Sequence, residues 1–107
     1  MKKVSQRVTS ITTKLGEKTD IKEPYGDNVL SCKVHRYVDE KFEITYLWGF
    51  IEGGGIAGGY SSRDIDYNGE RVYEEKGGRV KKHTKGKWEE ELERIYEKAL
   101  QKSPKSP

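Results

Sequence analysis

Cysteine, histidine and carboxylate side chains are where chemistry would be sought first. Cys32 and His35 form a C-x-x-H pair, and His83 is the other histidine. Thiolate and imidazole can bind zinc or work as nucleophile and base. Residues three apart in a strand point to opposite faces, however, so this pair cannot converge on one ion or one substrate. Two histidines and one cysteine also fall short of the four ligands zinc usually takes. Cys32 therefore reads as a small core hydrophobe. No metal site and no cofactor is expected.

Asp64 and Asp66 alternate along a second stretch, followed by Glu74, Glu75 and Lys76. This loosely resembles the D…(D/E)-x-K arrangement of one group of metal-dependent nucleases. There two carboxylates hold Mg²⁺ and the lysine supports the attacking water. In the register expected below, Asp64 and Asp66 share a face with Arg71, Tyr73 and Glu75, while Glu74 falls opposite and Lys76 sits at a glycine turn. An exposed ladder of ion pairs accounts for the same residues, and the reading leans away from an enzyme. Gly53-x-Gly55-x-x-Gly58 formally matches a dinucleotide fingerprint. That chemistry needs a helix to start directly after the glycines, and Gly59, Ser61, Ser62 and Asn68-Gly69 leave no room for one.

The segment 76–87, KGGRVKKHTKGK, holds six basic and no acidic residues, whereas residues 39–75 hold three basic and nine acidic ones. Clustered cations without acidic neighbours attract phosphate, in RNA or DNA. Arg79, Lys81, Lys82, Lys85 and Lys87 are the expected phosphate contacts, with Tyr73 as a stacking residue. Tyr60, Tyr67 and Trp88 could also stack on unpaired bases if exposed near the strip. The acidic stretch 39–75 would oppose this, and Glu89–Glu91 could neutralise it. The alternative is a protein-interaction surface, an adaptor or inhibitor, formed by Leu47, Ile51, Gly54, Gly55 and Tyr60.

Positioning these groups falls to a 107-residue chain that is 32% hydrophobic and 36% charged, with 12 glycines. That supports one domain with a thin core. No run approaches the roughly 18 apolar residues of a membrane span, and the basic N-terminus lacks the apolar segment of a signal peptide. One cysteine leaves no internal disulfide framework. The expectation is a soluble cytoplasmic domain.

The central stretch is Lys41–Tyr60. Phe42, Ile44, Tyr46, Trp48 and Phe50 fall on every second residue and so share one face of a strand. Something must cover that face. Trp88, Leu92, Ile95, Tyr96, Ala99 and Leu100 form a helical apolar stripe, with Glu89–Glu91 at its start and Lys98 and Lys102 at its end. Val4, Val8, Ile11 and Leu15 follow helical spacing ahead of Gly16. Residues 17–28 read as a polar connector, and Val29 to Val38 as the first strand. Residues 56–67 read as a strand with a bulge or sharp bend at Gly58-Gly59. Asn68-Gly69 marks a two-residue hairpin turn, placing Asp66 opposite Arg71, Ile65 opposite Val72 and Arg63 opposite Glu74. Gly77-Gly78 marks another turn, and a three-residue loop there would put Glu75 opposite Arg79. The expected fold is α+β: a short N-terminal helix, four to five antiparallel strands over about 29–84, and a C-terminal amphipathic helix over about 87–102. Residues 103–107 are expected to be a disordered tail.

Overall fold

The computed structural model describes residues 3–53 and 56–102. Helix α1 (Val4–Leu15) is followed by strands β1 (Glu17–Tyr25), β2 (Asn28–Val38), β3 (Phe42–Gly53), β4 (Ile56–Tyr67), β5 (Glu70–Lys76) and β6 (Arg79–His83), then by helix α2 (Lys87–Gln101). The strands form one antiparallel sheet in the order in which they occur. The fold is α+β, with six strands where the sequence suggested four or five. The tail 103–107 lies outside the described residues.

The added strand is β1, read from sequence as a connector. Its pairing with β2 runs without a break from Glu17 opposite Arg36 to Tyr25 opposite Asn28. At an edge with eight of nine residues exposed, neither face needs apolar side chains, so no alternation marks it. Pro24 is tolerated there because one side of an edge strand makes no ladder bonds.

Helix α1 forms despite its many Ser and Thr residues because packing of its apolar face outweighs their low propensity. Their hydroxyls are satisfied within the helix, Thr12 donating to the Val8 carbonyl at 2.8 Å and Thr13 to that of Thr9 at 2.6 Å. Val8 and Ile11 are fully buried. The helix lies across β1–β4 and packs against α2. Helix α2 contributes Trp88, Leu92, Tyr96 and Ala99 to a core shared with Phe42, Ile44, Ile65, Val72 and Tyr73. Leu100, assigned to its apolar stripe, is 45% exposed. Glu91 ties this helix to the sheet, accepting from the Tyr67 hydroxyl and from Lys41 Nζ. Those bonds hold its carboxyl below the usual carboxylate range. Cover of the aromatic face is thus shared by two helices.

Two bulges decide which side chains meet. The Asn68-Gly69 hairpin pairs Asp66 with Arg71 as expected, but an extra residue on β5 then shifts the register. Ile65 lies opposite Tyr73 rather than Val72, and Arg63 opposite Glu75 rather than Glu74. Val72 and Tyr73 are thereby both buried, which strict alternation would forbid. The second bulge falls between Glu74 and Glu75 against β6. No bulge occurs at Gly58-Gly59, which pair in register with Ile51 and Phe50.

Gly77 and Gly78 form a two-residue turn with φ of +57° and +84°. Positive φ at both positions matches the twist of a tight hairpin. Lys76 consequently faces Arg79, an opposition that the expected three-residue loop would avoid. Lys76 Nζ is 3.6 Å from Glu74, which relieves the like-charge contact.

Candidate nucleic-acid interface

The basic segment becomes the edge strand β6, the short link to α2, and the first residue of that helix. Arg79, Lys81, Lys82, Lys85 and Lys87 are all exposed. Among the described residues none of the five has a carboxylate within ion-pair distance. Of the nearby glutamates, Glu74, Glu89 and Glu91 have other partners, while Glu90 at the start of α2 is exposed. Glu89 meets His83 Nε2 at 3.1 Å, Glu91 holds Lys41 and Tyr67, and Glu74 lies near Lys76 and Arg71.

Part of the acidic excess of residues 39–75 is taken up locally, while Glu40, Glu52 and Glu70 are exposed. Glu43 accepts from Arg36 at 2.7 Å. The Arg71 guanidinium serves Asp66, Asp64 at 3.6 Å and Glu74 at 3.9 Å. Asp39 caps the β2–β3 turn, accepting from the backbone N–H of Lys41 and Phe42 at 2.8 and 2.6 Å.

Tyr73 stands apart from the other residues assigned to this interface. It is 3% exposed, and its hydroxyl donates to Glu75 Oε1 at 3.0 Å. Burial first, and then that hydrogen bond, push its phenol up to about 12. Its ring stands perpendicular to that of His83, with centroids 5.5 Å apart, and the His83 ring in turn meets Trp88. Tyr73 is a core residue because the bulge at Val72 turns it to the helix side, where it cannot offer a face to a base. Trp88, 3% exposed, donates from Nε1 to the Thr84 carbonyl at 2.8 Å and is likewise internal.

The same bulge rearranges the carboxylates. Asp64 and Asp66 share the helix-free face with Arg71 and Glu74, while Tyr73 and Glu75 lie on the other face. Glu75 is 7% exposed and meets Arg63 at 3.5 Å. Where an ion would sit among Asp64, Asp66 and Glu74, the Arg71 guanidinium stands instead. Burial raises the Asp64 carboxyl above its usual range, against the pull of Arg71. Among the described residues no three His, Cys, Asp or Glu side chains are arranged to hold a metal ion.

Cys32 and His35 take opposite faces. Burial, and secondarily Glu23, raises the Cys32 thiol, as suits an inert core group. No family model, curated protein or solved structure matches the chain.

The residues considered for a protein partner divide as follows. Leu47, Ile51 and Tyr60 share the helix-free face, where the strand pairing sets them beside Val34, Leu30 and Gly49. All three are half-buried, and Leu30 and Cys32 on the same face are buried outright. Gly54 and Gly55 lie outside the described residues.

One feature escaped the sequence reading. The aromatic row on β3 is not covered along its length: Phe42 and Ile44 are buried, Tyr46 and Trp48 half-buried, and Phe50 is 56% exposed. A signal was available in element lengths. A 12-residue strand spans about 40 Å and a 15-residue helix about 22 Å.

Proposed function

We propose that this chain is a non-enzymatic nucleic-acid-binding module that holds phosphates with Arg79, Lys81, Lys82, Lys85 and Lys87. The observation that carries the reading is that all five cations are exposed and none has a carboxylate partner among the described residues. Lysine and arginine in that state have counterions to release and no internal ion pair to break. Arg71 among the carboxylates disfavours a metal-dependent nuclease.

Binding of a labelled oligonucleotide, followed by anisotropy at 50 and 200 mM salt, tests the reading. Affinity is expected to fall on the order of 10²-fold across that interval if five phosphates are contacted. Binding undiminished at the higher salt would refute it.

A protein-docking role for Leu47, Ile51 and Tyr60 has one observation in its favour, their shared helix-free face. It is the weaker reading, because the most apolar neighbours there, Leu30 and Cys32, are already buried. Self-association of the chain in sedimentation, abolished by Leu47→Glu, would favour it; a monomer at all concentrations would count against a self-docking face.

A further inference from the structure

The uncovered end of the helix-side face carries a second kind of group. Cross-strand pairing builds two rows there. Asp20, Lys33, Trp48 and Ser61 follow one another across β1 to β4, and Lys22, Ser31, Phe50 and Gly59 form the next row. On the β4 side the neighbours are serine and glycine, so no bulky side chain walls off the rings. On the β1 side the rings border a shallow cavity of about 360 Å³, whose lining includes Asp20, Lys22, Ser31, Lys33, Trp48 and Phe50. Two rings two residues apart on a strand stand about 6.8 Å from each other. That is about twice the 3.4 Å between stacked bases, so each ring can take its own base from a strand whose bases are splayed apart.

The charge at this end suits such an occupant. Lys22 is exposed and has no partner among the described residues. Lys33 meets Asp20 at 3.4 Å, with both side chains largely in water, and an exposed pair of that kind is readily exchanged. One row nearer the helices, His35 stacks on Tyr46 at 5.9 Å and 19°. Burial, then Lys18 and Lys33, hold His35 below its usual range against the weaker influence of Asp20. The Gly77 N–H bonds to the Ser61 carbonyl at 3.0 Å, which brings the β5–β6 turn to the end of the Trp48 row, while the register sends Arg79 and Lys82 to the helix-free face.

We propose that this surface seats unpaired bases, which stack on Trp48 and Phe50 while Lys22 and Lys33 hold the adjoining phosphates. The chain then prefers single strands to duplex. This deepens the nucleic-acid reading above and rests on it.

Intrinsic fluorescence gives a direct test, since Trp88 is buried and Trp48 is the tryptophan at the surface. The full chain is titrated with a short oligothymidylate and separately with a duplex of equal length, at low salt. The expected result is quenching of Trp48 by the single strand alone. Phe50→Ala is expected to lower single-strand affinity on the order of tenfold, one base–aromatic stack, and to leave duplex affinity unchanged. In Lys81→Ala/Lys82→Ala both affinities fall, while single-strand quenching at saturation persists. Single-strand binding without quenching, or a Phe50→Ala variant weakened equally toward both nucleic acids, would overturn the platform and leave the basic strip standing. Failure to bind either nucleic acid would overturn both.

Discussion

Replacing Arg79, Lys81, Lys82, Lys85 and Lys87 together by alanine is expected to remove most of the salt dependence of nucleic-acid binding. At about 0.7 per phosphate contact on a single strand, five contacts give a slope of about −3.5 in log K against log salt. The variant retains only what other cations, such as Lys22 and Lys33, supply. The fold should not suffer. All five side chains are exposed and make no ion pair among the described residues, and such surface changes usually move stability by less than about 0.5 kcal/mol each. The slope is the quantity to read, because affinity at one salt concentration mixes charge with every other contact. An unchanged slope in a folded variant would place the phosphates elsewhere.

The second large effect concerns stability. Gly49 is buried in the middle of β3, opposite Cys32 on one side and Tyr60 on the other. A Cβ there would stand 2.6 Å from the Cys32 Cα and still closer to the Ser31 carbonyl oxygen. Both obstacles are backbone of the neighbouring strand, which cannot turn aside as a side chain can. Gly49→Ala is therefore expected to cost about 3 kcal/mol, the upper end for overpacking in a well-packed site, measured by urea unfolding. Gly59→Ala is the control. Its Cβ meets nothing within 4 Å and its φ is not positive, so stability should hold or rise by up to about 1 kcal/mol. Equal losses at the two positions would show that backbone freedom, and not close approach, sets the cost. Gly49 would then lose its role in letting β2 and β3 come together.

How far the fold could be read in advance depended on whether a residue's neighbours are local. The run Phe42, Ile44, Tyr46, Trp48, Phe50 announces a strand face by itself, and Asn68-Gly69 announces its turn. The stripe Trp88, Leu92, Tyr96 and Ala99 announces a buried helix face. The segment EKTDIKEPY announces nothing, because an edge strand exposed on both faces borrows its structure from β2. The bulge at Val72 was equally silent. Two adjacent apolar residues, Val72 and Tyr73, break the alternation of β5, but only the packed core shows that both are buried.

That one inserted residue explains most of what changed at the candidate site. It sends Tyr73 and Glu75 inward, and it gathers Asp64, Asp66 and Glu74 around Arg71. The basic strip was legible as a run of charge, since 76–87 contains no acid. That Arg79, Lys81, Lys82, Lys85 and Lys87 have no carboxylate partner among the described residues was not legible, because the glutamates at the start of α2 could have turned toward them. Glu89 takes His83 of the same segment, and Glu91 takes Lys41 and Tyr67. The platform at Trp48 and Phe50 was hidden for the opposite reason. Covering an aromatic face is the usual outcome, and here the helices stop short of the strand's end.

Backbone and lysine chemical-shift mapping with a short single-stranded oligonucleotide tests the central claim most directly. The account predicts that the largest perturbations fall on Arg79–Lys87, extend to Lys22, Lys33, Trp48 and Phe50, and shrink together as salt is raised. Perturbations confined to the helix-free face around Leu47, Ile51 and Tyr60, or a spectrum indifferent to the oligonucleotide, would contradict it.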